Sequence, residues 1–156
     1  MIRIDFSIDQ SRTATGLCLW VEGKPKELAT ARPGKGITGF EKSEDVTDKV
    51  TEILDRWRWE WWPEDSQSPP DTIVLEAFEK HYPKAKIGKL MILAEFTGFL
   101  HGTLKIFFPE ATIVHVSKGK APKSQAALLA AKFGLKGSKD AMDALHIGFC
   151  AGLYKE

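Results

Sequence analysis

Ile2, Ile4, Phe6 and Ile8 alternate with Arg3, Asp5, Ser7 and Asp9, a period of two that predicts a strand with one buried face. Residues 16–21, Gly-Leu-Cys-Leu-Trp-Val, predict a second strand. Glu22-Gly23-Lys24-Pro25 reads as a turn and residues 27–32 as a third strand, so the chain opens with an antiparallel meander. Residues 33–39 hold three glycines and one proline and predict a loop. A helix is expected over residues 43–61, where Val46, Val50, Ile53, Leu54, Trp57 and Trp61 share a face. Residues 63–70 are polar and proline-rich, as in an exposed loop. Thr72-Ile73-Val74-Leu75 is a continuous apolar run, typical of a strand buried on both faces. Beyond Pro83, residues 84–107 are apolar nearly all round and predict a central packed helix. Residues 111–116 predict another buried strand, and Pro122 suits the first turn of a helix through residue 133. Gly137-Ser138 separates this helix from a last one over residues 139–154. The order predicts one α/β domain spanning residues 1–156: a mixed five-stranded sheet, antiparallel meander plus parallel strands, with helices on both faces.

Composition narrows the class. The chain has 156 residues and is 43% hydrophobic, enough for one sizeable core. Its net charge of +1 argues against a dedicated coat for DNA. The charges are nevertheless segregated. Residues 111–139 contain no acid but carry Lys118, Lys120, Lys123, Lys132, Lys136 and Lys139. Residues 80–94 repeat the pattern with Lys80, Lys84, Lys86 and Lys89. Such runs are either a local positive field or simply solvated faces. Cys18 and Cys150 lie in apolar runs outside any CxxC pair, as expected of reduced core residues. The first five residues do not resemble a signal peptide, and no window is expected to reach the ~20 apolar residues of a membrane span. A soluble cytoplasmic protein without membrane partners is expected (host cytoplasm if phage-encoded).

The candidate chemistry lies in carboxylates. Asp9 and Glu76 end predicted strands, where α/β proteins place their sites. Asp140 and Asp143 are three apart on the last helix and share a face. Four acids from three elements could converge on hard cations such as Mg²⁺ or Mn²⁺. Each has a plainer reading: a strand-end acid is often a solvated turn residue, and Asp140 suits the helix dipole. Asp5 shares a strand face with Asp9 and competes with it. Lys123 opposes the dipole of the helix it opens, whereas a phosphate there would be favoured. With Lys118 or Lys120 from the preceding loop, it is the candidate phosphate contact. His146, three residues after Asp143, is read as a packed histidine rather than a ligand. His81, His101 and His115 show no ligand-like spacing, and Trp57 and Trp61 are expected in the core rather than stacked on bases.

Four segments, in order, resemble the motifs of RuvC-like Holliday-junction resolvases, of the short, phage-like kind. Ser7 to Gly16 (Ser-Ile-Asp-Gln-Ser-Arg-Thr-Ala-Thr-Gly) is similar to their opening strand, aspartate and Thr-Gly pair. Ile73-Val74-Leu75-Glu76 resembles the second motif, Lys123-Ser124-Gln125 the basic helix start, and Asp140-Ala141-Met142-Asp143-Ala144-Leu145 the last motif. The resemblance implies a ribonuclease-H-like fold and selects Asp9 over Asp5. It implies that Asp9, Glu76, Asp140 and Asp143 bind two divalent ions, Mg²⁺ with Mn²⁺ able to substitute. It further implies a homodimer on four-way or branched DNA, cutting to 5′-phosphate and 3′-hydroxyl ends. Lys123 joins the catalytic set by this reading, and Lys118, Lys120, Lys84, Lys86 and Phe78 the DNA-binding set. Two departures are plain: Gln10-Ser11 replaces the bacterial Pro-Gly, and Glu79 stands where the bacterial pattern has phenylalanine, with Phe78 one earlier and Tyr82 three later. A related nuclease acting on RNA–DNA hybrids or flaps needs the same acids. An actin-like phosphotransferase needs a glycine-rich phosphate loop and two domains, which this chain lacks. A binding-only junction protein would not need all four acids.

Overall fold

The computed structural model describes residues 2–61, 70–77, 87–118 and 122–156. The elements run β1 (Ile4–Asp9), β2 (Thr15–Val21), β3 (Lys24–Ala31), α1 (Phe40–Trp61), β4 (Thr72–Glu76), α2 (Ile87–Phe107), β5 (Thr112–Val116), α3 (Lys123–Lys132) and α4 (Lys139–Cys150). The five strands lie in the order β3-β2-β1-β4-β5. β1 pairs antiparallel with β2 and parallel with β4, and β4 pairs parallel with β5. This is the expected mixed sheet.

β1 departs from its sequence pattern, because both of its faces are buried. Ile4, Phe6 and Ile8 join Val46, Val50, Leu54 and Trp57 of α1 and Phe96, Leu100 and Leu104 of α2 in one core. The opposite face carries Asp5, Ser7 and Asp9, and α4 covers it. Ser7 explains how polar residues tolerate that cover. Its hydroxyl donates to the Ala144 carbonyl at 2.7 Å and accepts from the Trp20 indole at 2.8 Å. The second core, including Cys18, Trp20, Val74, Leu129 and Leu145, lies on this side.

α4 reaches the sheet so closely because glycines leave room. A Cβ on Gly16 would fall 1.8 Å from the Asp140 carbonyl oxygen, and one on Gly148 would meet Trp20 at 2.6 Å and Ser7 Oγ at 2.7 Å. Ser138 caps the helix by accepting from the Ala141 N–H at 3.2 Å, and its hydroxyl meets Thr30 of β3 at 2.6 Å. α4 stops at Cys150 rather than residue 154. Gly152 is left-handed (φ 79°) there, and the N–H groups of Gly152 and Leu153 return to Phe149 and Gly148.

Other boundaries moved for similar local reasons. Val21 pairs directly with Lys24, so only Glu22 and Gly23, both at positive φ, form the first turn. Ser43 is buried inside α1, which starts three residues earlier at Phe40. The larger correction concerns α2. It is a surface helix, not a central one: Phe96, Thr97, Leu100 and Leu104 are buried, while Ile87, Met91, Ile92, Ile106 and Phe107 are exposed. Its length and composition also suffice for a membrane span, contrary to the sequence expectation. Its buried stripe is fully used against the sheet and α1.

Gly148→Ala is expected to lower stability by about 2–3 kcal/mol in urea denaturation, since the methyl group meets fixed aromatic and hydroxyl atoms. A loss below about 0.5 kcal/mol, within the range of ordinary surface substitutions, would contradict the close docking of α4.

Candidate active site

The parallel strands β1, β4 and β5 finish along one edge of the sheet. Asp9 is the last residue of β1 and Glu76 the last of β4; Lys118 follows two residues after β5. α4, held flat by Ser7 and the two glycines, carries Asp143 to the same place. The Lys118 ammonium stands among the three acids, 3.3 Å from Asp9, 3.5 Å from Glu76 and 4.0 Å from Asp143. Lys123, at the start of α3, approaches Asp143 from outside at 3.4 Å.

The acids are partly withdrawn from water, and this sets the electrostatics. Burial raises the Asp9 carboxyl from the usual 3.8 to about 7; the Lys118 ammonium opposes the rise, and the nearby Glu76 carboxylate adds to it. For Lys118, burial acts to lower the pKa, but the charges of Asp9, Glu76 and Asp143 together outweigh it and raise the pKa above the usual lysine value. Among the described residues, no three of His, Cys, Asp and Glu are arranged to hold a metal ion by themselves. The cluster instead closes around a lysine.

Asp140 lies one turn before Asp143. Its backbone packs on Gly16, the register partner of Asp9, and its carboxylate takes no part in these ion pairs. Asp5 sits at the other end of β1, buried and paired to Arg3 at 2.9 Å, away from the Lys118 cluster. His146 is buried, as expected, with Nε2 3.5 Å from Cys150 Sγ. Cys150 itself is only half-buried, not a core residue, and its thiol lies 3.6 Å from the Lys118 carbonyl. Lys120, Lys84, Lys86 and Phe78 lie outside the described residues, as do Lys80, Glu79, His81, Tyr82 and Trp62.

Sequence reading missed three features. Gln10 is buried and bonds through its side-chain amide to the backbone of Glu76. Thr15 closes the loop between Asp9 and Gly16, accepting from the Ser11 N–H at 3.2 Å and donating to the Ser11 carbonyl at 2.6 Å. Beside this loop is a cleft of about 490 Å³, where Arg12 and Thr13 face Lys89, Ile92 and Leu93 of α2.

No protein-family model matches the chain, and neither does any curated protein. Solved structures do resemble it. Thermus thermophilus RuvC in complex with a Holliday-junction substrate aligns with a TM-score of 0.65 at 18% identity, covering 97% of this chain and 94% of that one. A second T. thermophilus RuvC structure aligns with a TM-score of 0.61 at 16% identity, with the same coverage. The chain therefore has the RuvC fold, a ribonuclease-H-like arrangement, over nearly its whole length.

The Asp9 shift has a testable sign. With its folded pKa above 3.8, the native state holds an extra proton between about pH 4 and about pH 7, so stability falls as pH rises through that window. Urea denaturation in chelator is expected to show Asp9 costing roughly 1–3 kcal/mol at pH 8 relative to pH 5. Asp9→Asn should remove that part of the slope. Identical slopes for the two proteins would contradict the buried placement of Asp9.

Proposed function

We propose that the chain is a metal-dependent, structure-selective endodeoxyribonuclease that resolves four-way (Holliday) DNA junctions by paired cuts leaving 5′-phosphate and 3′-hydroxyl ends. The observation that carries this reading is the meeting of Asp9, Glu76 and Asp143 around one cation at the strand-end edge of a RuvC-type sheet. In the RuvC complex the same fold is bound to a junction.

The donor chemistry suits a hard divalent ion, although among the described residues no three such side chains already stand in a ligating arrangement. The donors are all carboxylate oxygens, they are partly desolvated, and they already gather about a positive charge. Mg²⁺, or Mn²⁺ in its place, suits such a set better than zinc. Asp140, on the same helical face as Asp143, completes the proposed ligands. Two bound ions would supply an activated water and charge stabilisation of the leaving oxygen.

The remaining work belongs to the chain itself. Asp9, Glu76, Asp140 and Asp143 would hold the ions. Lys118, which neighbours all three acids, would contact the scissile phosphate. Lys123 stands at a helix start with no side-chain cap, where backbone N–H groups and an ammonium together favour a phosphate. Arg12 and Lys89, flanking the cleft beside Asp9, extend a basic path for the strand. Lys120, Lys84, Lys86 and Phe78 complete the proposed DNA-binding set.

A homodimer follows from the same reading, because paired cuts need two sites. The exposed apolar residues of α2 support it: Ile106 is 79% and Met91 65% exposed.

With Mg²⁺, a synthetic four-way junction should be nicked symmetrically, and an RNA–DNA hybrid or a flap should not. Asp143→Asn should slow cutting by about 10²–10³-fold while still binding the junction. Preferential cutting of the hybrid or flap would overturn the junction assignment, and persistent cutting by the variant would remove Asp143 from the site. Met91→Glu should convert a dimer to a monomer in analytical ultracentrifugation. A wild-type chain that sediments as a monomer at micromolar concentration would overturn the dimer.

A further inference from the structure

Gln10 sits where β1 ends and the loop to β2 begins. The parallel ladder between β1 and β4 runs in register from Asp5↔Thr72 to Ile8↔Leu75 and ends there. Beyond it, the Gln10 side chain takes over the pairing. Its Nε2 donates to the Glu76 carbonyl at 2.8 Å, and its Oε1 accepts from the Glu76 N–H at 3.0 Å. One carboxamide thus satisfies both backbone groups of a single residue, the residue that presents a site carboxylate. Gln10 is only 4% exposed, so the amide is not exchanging these bonds for water. The loop that carries it is closed independently by Thr15 on Ser11. Gln10 is therefore anchored from both sides, by Asp9 before it and by the Ser11–Thr15 closure after it.

We infer that Gln10 is a positioning residue of the site: its amide holds the Glu76 backbone so that the Glu76 carboxylate faces Asp9 and the cation between them. The inference rests on the metal-nuclease reading of this carboxylate cluster. Its physical basis is that a two-point bond fixes both the position and the rotation of a peptide unit. β5 holds the other side of this strand end, where Glu76 pairs with Val116 and the Ala77 N–H donates to the Val116 carbonyl at 2.7 Å, so Gln10 supplies the hold on the β1 side, where the ladder has ended. Because the side chain after Glu76's Cα inherits that orientation, a small rotation of the backbone swings the carboxylate away from Asp9. Gln10 also explains how this chain does without the proline that the bacterial motif places after its first aspartate. Proline stiffens a loop through its own ring, whereas Gln10 ties the loop to the neighbouring strand.

The test uses Gln10→Met in the full chain, which keeps length and apolar bulk but removes both bonds. Three quantities are read. Amide hydrogen exchange by NMR should show the Glu76 N–H exchanging about tenfold faster, with Ile73, Val74 and Leu75 unchanged. Calorimetric Mn²⁺ affinity, measured without DNA, should fall about tenfold. On a cleavable junction, kcat should fall by a larger factor than KM rises, since Arg12 and Lys89, the charged groups of the cleft that Gln10 also lines, are unchanged. If Gln10→Met does not fold, Gln10→Asn, one methylene too short to reach, takes its place with the same expectations. Unchanged Glu76 exchange and Mn²⁺ affinity would overturn the inference, as would a uniform rise in exchange along all of β4, which marks a merely structural role. A wild-type chain that cuts no branched DNA, combined with the predicted exchange and Mn²⁺ changes, would refute the junction function and leave Gln10 as the support of a metal site.

Discussion

One ammonium among three carboxylates is the interaction on which the rest of the structure depends. Asp9, Glu76 and Asp143 come from three different elements and sit within 4.0 Å of Lys118 Nζ. Like charges gathered around one group repel one another, and burial worsens this. A cation at the centre offsets part of this repulsion. Burial, with the Glu76 carboxylate adding to it, raises the Asp9 pKa despite the neighbouring Lys118. The architecture tolerates the cost because rigid parts enforce it. β1 and β4 are central strands, and α4 is fixed to them by the Ser7 hydroxyl, the Trp20 indole and two glycine contacts.

Much of this was legible from the chain. Element order, sheet composition and the strand-end placement of Asp9 and Glu76 follow from apolar periodicity and its breaks. Periodicity could not choose between Asp5 and Asp9, which share a face; the Thr-Gly spacing favoured Asp9, and in the fold Asp5 is paired to Arg3. Where pattern misled, the cause was tertiary cover. The polar face of β1 reads as solvated, yet α4 lies on it. The apolar girth of α2 reads as central, yet only one stripe of it packs. Sequence also counts charges without their partners. Lys118 and Lys123 were tallied with a positive field, but both are engaged by acids in the folded chain. His101 and His115, fourteen residues apart and without ligand-like spacing, stack with ring centroids 5.3 Å apart. Gln10 was visible only as a departure from a motif, since nothing in its own position announces a bond to a strand 66 residues away.

Lys118 connects fold and proposed chemistry. In the protein alone it is the counter-charge that lets the acids approach. In the proposed metal-loaded enzyme its place would be needed, and a displaced ammonium at the edge of the site would be well set for a phosphate. Site assembly and substrate contact would then share one side chain. The half-buried Cys150, whose thiol lies 3.6 Å from the Lys118 carbonyl, borders the segment that carries this lysine.

The central claim, that Lys118 and a divalent ion serve the same carboxylates, is most directly tested by calorimetric titration of Mn²⁺ into the wild-type chain and into Lys118→Met at pH 8. Removing the competing ammonium should tighten Mn²⁺ binding by about tenfold, a gain of roughly 1.4 kcal/mol. Unchanged or weaker binding in Lys118→Met would contradict the account.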